Sequence, residues 1–406
     1  MIGRMRSIFT QLRKLFIRSK KPRAGVDIFQ LLGREPVCLD TPELQRFLAG
    51  KSILVTGAGG SIGSEICRQA MKFCPRRLVL VERAENALFE IDRELRERWI
   101  GADIRPCLAD ICDQERIESI FKEERPDVVF HCAAHKHVPL MEENPGEAVK
   151  NNVFGTKTVA DAAVDAGCHA FVMVSTDKAV NPTSVMGATK RCAELYVQSL
   201  NRGTGASPVS AGTRFVAVRF GNVIGSSGSV VPIFQKQNAA GGPVTVTHPE
   251  MKRYFMTIPE ASQLVMQAGA IGRGGEIFIL DMGEPVKILD LATQMILRNG
   301  LKPDEDIQIK FTGVRPGEKL YEELSATNEQ TRPTSHEKIR VWQLPVASSE
   351  QVELMLEILS SSLPAGSTKI VDALKQCVGE YEPKRAPAAA PGPEKSRIPL
   401  RLVRAA

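Results

Sequence analysis

The stretch "SILVTGAGGSIGSE", which begins at Ser52, constrains the fold of this chain more than any other. It reads as a buried strand, a glycine-rich turn and the start of a helix. Gly57 permits a tight turn, Gly60 lets the backbone approach a pyrophosphate, and Gly63 permits close packing of helix against strand. The free N–H groups at the helix start then face the phosphates. In this setting the pattern predicts a dinucleotide site.

Further apolar runs alternate with helical stretches along the chain. The runs are "RLVLVE", "DIRPCLAD", "DVVFHCAA", "AFVMVST" and "RFVAVRFGNVIG". Strands alternating with helices of this length predict an α/β fold, a doubly wound parallel sheet of the Rossmann type. Glycine and proline turns multiply after the last run, which predicts a smaller C-terminal lobe.

The predicted division has five parts. They are a basic amphipathic or disordered leader (1–30), an NAD-binding domain with segments returning from later sequence (31–220), a mainly substrate-binding lobe (221–345), a C-terminal helical segment (346–382) and a disordered tail (383–406).

Composition narrows the class of protein. With 406 residues, 43% of them hydrophobic, the chain can bury a core without disulfides. Its nine cysteines are scattered without a C-x-x-C pair, which favours a reducing cytoplasm. The net charge of +6 is concentrated at the two ends, which argues against a nucleic-acid surface.

The first 23 residues leave two interpretations open. Apolar side chains recur at helical spacing among basic ones, which is typical of a helix on the anionic inner face of a membrane. A solvated basic leader is the alternative. The apolar positions are Met5, Ile8, Phe9, Leu12, Leu15 and Phe16.

Charged residues at strand ends bear on the choice of cofactor. Glu82 closes the second strand, where a carboxylate binds the adenosine ribose diol and repels a 2′-phosphate, so NAD is favoured. Arg83 beside it would instead welcome that phosphate. Asp110 ends the third strand, and either reaches the adenine amine or caps a helix.

The stretch "STDKAVNPTSVMGATK" (175–190) is the candidate reaction centre. Asp177 and Lys178 supply an adjacent acid and base at the tip of the fifth strand, where doubly wound folds place their sites. Many nicotinamide enzymes carry a tyrosine four residues before a lysine such as Lys190. Here that position is Met186, and a thioether cannot accept a proton from an alcohol.

Neither a displaced tyrosine nor a metal replaces that base. Among the four tyrosines only Tyr381 has a basic residue four positions later, and that residue is in the predicted tail. His131, His135 and His137 stand close together in the sequence. Strand alternation directs them differently and no carboxylate has ligand spacing, so no metal site is predicted.

Six motifs carry a family resemblance, in order: "TGAGGSIGSE", "AAHKHVPLME", "NNVFGT", "STDKAVNPTSVMGATKR", "RFGNVIGSSGSVVP" and "GVRPGEKLYEEL". From about Leu31 to about Leu344 the chain resembles the extended short-chain dehydrogenase/reductase superfamily. More narrowly, it resembles the UDP-N-acetylglucosamine 4,6-dehydratases of bacterial polysaccharide biosynthesis. Met in the tyrosine position is similar to their configuration-retaining branch. Many relatives carry transmembrane helices before the catalytic part, whereas this chain has a short basic leader.

The resemblance implies a reaction in which NAD stays tightly bound and is recycled. A hydride leaves C4, the resulting ketone acidifies H5, water leaves from C6, and the hydride returns at C6. Asp177 would protonate O6 and Lys178 would remove H5. Asp177 must then hold a proton, and Lys178 must be neutral, which burial and the charge of Lys190 would favour. The C4 hydroxyl proton leaves through Thr176, Asp177 or water.

The resemblance also assigns residues to roles. The catalytic set is Asp177, Lys178, Thr176, Lys190 and Met186, the last a spectator that lines the sugar pocket. The cofactor set is Thr56, Gly57, Gly59, Gly60, Ser61, Ile62, Gly63, Glu82, Arg83, Asp110, Ile111, Ala133, Ala134, Lys136, Asn152, Ser175 and Lys190. The substrate set is Lys136, His137, Thr176, Asn222, Val231, Pro232, Arg253, Arg315 and Glu318. Arg315 either binds a diphosphate in bidentate fashion or makes a surface ion pair.

Three alternatives stand beside a retaining dehydratase that works on a UDP-sugar as a cytoplasmic homo-oligomer. A C5-inverting dehydratase uses the same scaffold. A UDP-sugar 4-epimerase relies on the tyrosine and needs no acid–base pair at C5–C6, so Met186 argues against it. A catalytically silent NAD-binding regulator would not need Asp177, Lys178 and Lys190.

Overall fold

The computed structural model describes residues 41–201, 212–324, 330–343 and 347–384. The predicted leader helix and nearly all of the predicted tail lie outside the described residues. Within those ranges, no helix has the length and apolar character that crossing a membrane requires.

Fifteen strands are assigned in the described ranges. They are β1 (Ser52–Thr56), β2 (Arg77–Glu82), β3 (Ile104–Leu108), β4 (Val128–His131), β5 (Ala170–Val174), β6 (Arg214–Arg219), β7 (Asn222–Val223), β8 (Val244–Val246), β9 (Lys252–Arg253), β10 (Phe255–Met256), β11 (Ile277–Leu280), β12 (Val286–Lys287), β13 (Ile309–Phe311), β14 (Gln330–Pro333) and β15 (Ile339–Gln343).

The helices alternate with these strands through the first half of the chain. They are α1 (Pro42–Leu48), α2 (Ser61–Met71), α3 (Glu85–Arg98), α4 (Gln114–Glu124), α5 (Val138–Glu143), α6 (Pro145–Val149), α7 (Gly155–Asp165), α8 (Val185–Ser199), α9 (Val230–Ala239), α10 (Ile258–Ile271), α11 (Ile288–Arg298), α12 (Ser349–Ser362) and α13 (Ser367–Cys377). Short 3-10 turns span Asp177–Ala179 and Leu363–Ala365.

A nine-stranded sheet in the order β14-β15-β11-β6-β5-β4-β1-β2-β3 forms the centre of the molecule. The pairs from β3 to β11 are parallel, and β15 and β14 extend the sheet in antiparallel fashion. All five residues of β1 are buried, as expected for a strand covered on both faces. The predicted doubly wound parallel sheet is confirmed.

Helices cover both faces of the sheet and a third cluster forms the lobe. Leu44, Ile66 and Leu264 of α1, α2 and α10 belong to the apolar cluster on one face. The cluster on the other face includes α4, α7, α8, α12 and α13. A separate cluster around Phe234 and Met295 joins α9 and α11 into the C-terminal lobe. The sheet and this lobe therefore meet along a cleft at the carboxyl ends of the strands.

The stretch "EAVKNNVFGTKTVADAAVDAG" between β4 and β5 predicts one long helix, and the chain is helical without a gap from Pro145 to Asp165. A π-helical segment, Lys150–Phe154, separates α6 from α7. Asn152 within it accepts the N–H of His135 and donates to the carbonyl of His135 and to Thr189 Oγ1. These bonds tie the loop after β4 to α8, and π segments often mark functional sites.

The strands β11 and β15 come from the range predicted for the substrate lobe, yet both join the large sheet. Segments from beyond residue 220 therefore take part in the large sheet. The helices α12 and α13 lie within the predicted C-terminal helical segment and pack on α8.

Candidate active site

The glycine-rich turn after β1 has the backbone geometry that its sequence predicts. Gly57 has a φ of +64°, and a Cβ there would lie 2.9 Å from the backbone of Ala133. A Cβ on Gly63 would lie 2.1 Å from the carbonyl oxygen of Gly57. Tight turning at Gly57 and close packing at Gly63 are therefore confirmed. Gly60 is the N-cap residue of α2 and offers no side chain to the first N–H groups of the helix.

A cavity of about 150 Å³ lies beside this turn. Seven of the predicted cofactor residues line it: Gly57, Gly60, Glu82, Arg83, Ile111, Ala133 and Ala134. The sequence did not single out Val81, Ala109, Cys132 and Asn151, which also line it. Thr56 supports the cavity from beneath, because its Oγ1 accepts the N–H groups of Cys132 and Ala133.

The carboxylate of Glu82 organises the end of β2. Its Oε2 accepts the N–H of Gly59 at 3.1 Å, and its Oε1 accepts the N–H groups of Arg83 and Ala84, both at 3.0 Å. Three backbone donors therefore fix a negative charge at the wall of the cavity. This charge faces the place where a ribose diol would lie if a dinucleotide binds as the turn predicts.

Arg83 and Asp110 interact with each other at the edge of the same cavity. Their side chains approach to 3.6 Å. The Oδ1 atom of Asp110 accepts the N–H of Cys112, whereas the N-cap of α4 is Asp113. The helix-cap interpretation of Asp110 is therefore wrong.

A second cavity, of about 320 Å³, forms the cleft between the sheet and the lobe. Most of the predicted substrate residues line it: Lys136, His137, Asn222, Arg253, Arg315 and Glu318. Val231 is instead buried in the core of the lobe, and neither it nor Pro232 is among the residues that line the cleft. Lys178 also faces the cleft, with 20% of its side chain exposed.

Asp177 lies in the 3-10 turn directly after β5 and its side chain is fully buried. Its Oδ1 atom accepts the hydroxyl of Thr176 and the ammonium of Lys178, both at 2.9 Å. Its Oδ2 atom has no hydrogen-bond partner among the described residues. A Cβ at Gly221 would lie 3.1 Å from this oxygen, so the glycine keeps space beside it.

The ammonium of Lys178 has three oxygen atoms around it. They are Oδ1 of Asp177 at 2.9 Å, Oδ1 of Asn222 at 3.1 Å and Oε1 of Glu322 at 3.7 Å. Burial alone would favour the neutral amine, but the carboxylates of Asp177 and Glu322 outweigh it and raise the pKa of Lys178 above its usual value. The expectation of a neutral Lys178 is therefore wrong for this arrangement.

Lys190 and Met186 lie one turn apart on α8, and both are 4% exposed. Burial lowers the pKa of Lys190 to about 8, while Glu194 opposes that shift. Met186 belongs to the apolar cluster against the sheet and does not line the cleft, contrary to the pocket position predicted for it. Ser175 donates to Glu194, which also forms a buried ion pair with Arg219.

The two predicted arginines make internal contacts. Arg253 donates to the backbone carbonyls of Lys252, Lys319 and Leu320, so it holds the floor of the cleft together. Arg315 pairs with Glu318 at 2.6 Å. The ion-pair interpretation of Arg315 is therefore correct for this structure, although its side chain is 55% exposed and lines the cleft.

The three neighbouring histidines separate because β4 ends at His131, while His135 and His137 lie in the loop that follows it. His131 is buried between the hydroxyls of Thr56 and Thr156, and burial lowers its pKa to about 3. His135 faces the smaller cavity and His137 faces the cleft. Across the ranges that the structure describes, no group of three metal-ligating side chains is found.

Two further segments border the cleft. Ser227, in the loop after β7, donates its N–H to Ser61 and accepts from Lys136, so it joins the dinucleotide turn to the lobe. At the other border, the N–H of Lys384 donates to the carbonyl of Thr183, and the N–H of Gly317 donates to the carbonyl of Lys384. Neither contact has a local sequence signal.

Glu322 is the most informative residue that the sequence did not single out. It follows the arginine–glutamate loop and lines the cleft beside Lys178. Its motif "GEKLYEEL" is part of the family resemblance, but Glu322 and Glu323 are neighbours there and nothing in the pattern separates their roles.

Comparisons with known proteins agree with this geometry. Residues 53–344 match the family described as polysaccharide biosynthesis protein. The capsular polysaccharide biosynthesis protein CapD of Staphylococcus aureus is 54% identical over 335 residues, which are 82% of this chain and 55% of CapD. A UDP-N-acetylglucosamine 4,6-dehydratase (inverting) of Campylobacter jejuni is 33% identical over 69% of this chain and 79% of that protein.

A solved structure extends the comparison to three dimensions. Pen from Bacillus thuringiensis superimposes with a TM-score of 0.66 at 36% identity, covering 74% of this chain and 88% of Pen. The chain spans about half the length of the first curated relatives it matches. The chain therefore belongs to the polysaccharide biosynthesis protein family, within the extended short-chain dehydrogenase/reductase superfamily.

Proposed function

We propose that this chain catalyses the NAD-dependent 4,6-dehydration of UDP-N-acetylglucosamine with retention at C5. The product would be a UDP-4-keto-6-deoxy sugar for surface polysaccharide. The observation that carries the proposal is the buried Asp177 beside Lys178, which lines the cleft and whose ammonium lies 2.9 Å from the carboxylate of Asp177. An acid and a base at one place are what removal of H5 and of the 6-hydroxyl requires.

The smaller cavity suits a dinucleotide. A Cβ at Gly57 or at Gly63 would collide with backbone atoms of this chain, so these glycines keep the turn tight and the helix close to the strand, as in dinucleotide-binding turns. Bound NAD would supply the hydride acceptor for C4 and return the hydride at C6. The fixed charge of Glu82 supports NAD over NADP, and Arg83 is already engaged with Asp110.

The cleft suits the nucleotide part of the substrate. Arg315 lies at its wall with a half-exposed guanidinium, and Lys136 and His137 lie on the sheet side. A diphosphate offers the same bidentate acceptor geometry as the carboxylate of Glu318. When the substrate binds, Arg315 would release the carboxylate of Glu318 and bind the diphosphate.

The proton steps follow from the contacts of Asp177. Its unpartnered Oδ2 would take the proton of the 4-hydroxyl as the hydride leaves C4, and would then give this proton to O6, so water departs. Lys178 would take H5 as the C5–H bond breaks and return a proton to C5 after the hydride reaches C6. Thr176, which donates to Oδ1 of Asp177, would hold the carboxyl in place.

Incubation of the purified protein with UDP-N-acetylglucosamine in deuterated water tests this proposal. The expected product carries deuterium at C5, while the hydride moves from C4 to C6 without exchange. NMR of the product reads both positions. Product made in ordinary water and then reduced at the 4-ketone carries H4 and H5, and their coupling reports whether C5 is retained or inverted. A product without solvent deuterium at C5 would contradict the elimination, and an epimer at C4 would favour the epimerase.

A further inference from the structure

Glu322 is a buried carboxylate that faces the candidate base directly. Only 3% of its side chain is exposed, and its Oε1 lies 3.7 Å from Lys178 Nζ and 3.7 Å from a guanidinium nitrogen of Arg253. Its Oε2 is buried and has no hydrogen-bond partner among the described residues. A carboxylate in this position is costly to bury unless its charge is paired or it takes up a proton.

The charged groups around Glu322 have other partners, but Lys178 differs from the rest because the proposed reaction requires it to lose a proton. Arg253 is fixed by three backbone carbonyls, and Lys319 donates to the carbonyl of Val180. Asp177 is close enough for its charge to act on Glu322. Lys178 alone among these combines proximity to Glu322 with a proton that the reaction must remove.

We propose that Glu322 takes the ammonium proton of Lys178 and so frees the amine to remove H5. This inference rests on the proposed dehydration. Glu322 would act through Lys178, as a positioning residue for the proton, and would not touch the sugar.

The transfer balances without any further reactant. A proton leaves Nζ of Lys178 and joins Glu322, which turns an ion pair into two neutral groups. H5 then joins Nζ as the C5–H bond breaks. After the hydride returns at C6, Lys178 protonates C5 and recovers the proton held by Glu322. Asp177 is occupied with the O4 and O6 protons, so a second carboxylate is needed.

Electrostatics act on both partners of this transfer: nearby carboxylates raise the pKa of Lys178 and hold its proton, while burial makes Glu322 a better acceptor. Burial raises the pKa of Glu322 above that of an exposed glutamate, and the cations Lys178, Arg253 and Lys319 only partly offset it. Glu322 therefore accepts a proton more readily than a surface carboxylate does. The 3.7 Å separation has to shorten, or include a water, before a proton can pass.

Glu322→Gln tests the inference through the pH dependence of turnover. In the wild type, Glu322 can accept the Lys178 proton only while its carboxylate is ionised. This ability is lost as the pH falls through the raised pKa of Glu322. In Glu322→Gln, Lys178 must release its proton to solvent. We therefore expect kcat near neutral pH to fall on the order of 10²-fold. It should then rise about tenfold per pH unit toward the pKa of Lys178, and substrate deuterated at C5 should show a larger isotope effect.

Glu323→Gln is the matched control. Glu323 is the next residue, its side chain is 48% exposed, and it pairs with Lys319 rather than with Lys178. Its variant should keep the wild-type pH profile. Glu322→Asp retains the charge on a shorter side chain and should give an intermediate kcat, which keeps the inference testable if Glu322→Gln does not fold.

Two outcomes would overturn the role of Glu322. One is a pH profile of kcat in Glu322→Gln that has the same shape as the wild-type profile, whatever the size of kcat. That result would mean that Glu322 has a structural role only. The other is a Glu322→Asp variant as fast as the wild type. A second readout does not depend on turnover: NMR of ¹⁵N-lysine protein, assigned with Lys178→Ala, should show a lower Lys178 pKa in Glu322→Gln. If the wild type makes no product but this shift appears, the proposed reaction fails while the proton coupling stands.

Discussion

Met186 occupies the position of the missing tyrosine, and in this fold it is a packing residue. It is 4% exposed, belongs to the apolar cluster against the sheet, and does not line the cleft. The base that other nicotinamide enzymes carry at this position must therefore be replaced here by a group at the cleft. Lys178 lines the cleft, and Asp177 is buried beside it.

Substitutions at these three positions should separate packing from chemistry. Met186→Leu conserves volume, so it should keep kcat within a few-fold and change the free energy of unfolding by less than about 1.5 kcal/mol. Met186→Ala should lower that free energy by about 2–5 kcal/mol through the cavity it leaves. Asp177→Asn and Lys178→Ala should each lose on the order of 10²-fold in kcat.

Urea unfolding and steady-state kinetics on the same preparations provide both measurements. The account of Met186 is wrong if Met186→Leu loses as much activity as Asp177→Asn while remaining folded.

Sequence patterns placed the proposed acid and the proposed base at a strand end, but they did not predict the charge state of that base. Asp177 and Lys178 could be placed because strand ends converge at one edge of a parallel sheet. The pKa of Lys178 is raised first by the neighbouring Asp177 and then by Glu322, which reaches Lys178 from another part of the chain. A local sequence pattern cannot predict a contact between residues that are far apart in the chain. Arg315 could not be settled for a related reason, since one guanidinium serves a carboxylate and a diphosphate equally well.

At the scale of elements, the glycine-rich turn offers a test that depends on geometry alone. In Gly63→Ala the new Cβ would lie 2.1 Å from the carbonyl oxygen of Gly57, so the backbone must move. We expect the free energy of unfolding to fall by about 1–3 kcal/mol, as for other overpacked sites, and NAD to bind more weakly.

Gly379→Ala is the control, because a Cβ there would meet no atom within 4 Å. It should leave NAD affinity unchanged and leave stability unchanged or slightly higher. Thermal unfolding and calorimetric titration with NAD report the two quantities. If both variants bind NAD with equal affinity, the glycine-rich turn does not take part in binding NAD.

Helices were predicted well where their own residues specify them. The stretch "QERIESIFKEE" forms α4 over its whole length, with Asp113 as the N-cap. The π-helical turn between α6 and α7 was not predicted, because it coincides with bonds from Asn152 to His135 and Thr189. These partners belong to other elements, so the segment by itself reads as one long helix.

At the scale of the whole molecule, the C-terminal helices complete one face of the sheet. Leu374 of α13 is fully buried in the cluster that contains α8, whereas Leu354 of α12 is 56% exposed. Leu374→Ala should therefore lower the free energy of unfolding by about 2–5 kcal/mol, and Leu354→Ala should change it by about 0.5 kcal/mol or less. Urea denaturation measures both, and equal effects would show that α13 is not part of the core.

The overall architecture was the most predictable level. Continuous apolar runs between helical stretches indicate a parallel sheet whatever the details of its site. The two antiparallel strands at one edge, β14 and β15, were not predicted, because they are short and follow segments rich in turns.

The contacts of Lys384 give this protein a natural place for an optical reporter. The backbone of Lys384 bonds to Thr183 and Gly317, and both of these residues line the cleft. A fluorophore attached at position 384 would sit at the cleft's rim without replacing any residue of the reaction centre. Its emission would then follow the filling and emptying of the cleft in real time, which separates nucleotide entry and exit from the bond-breaking steps.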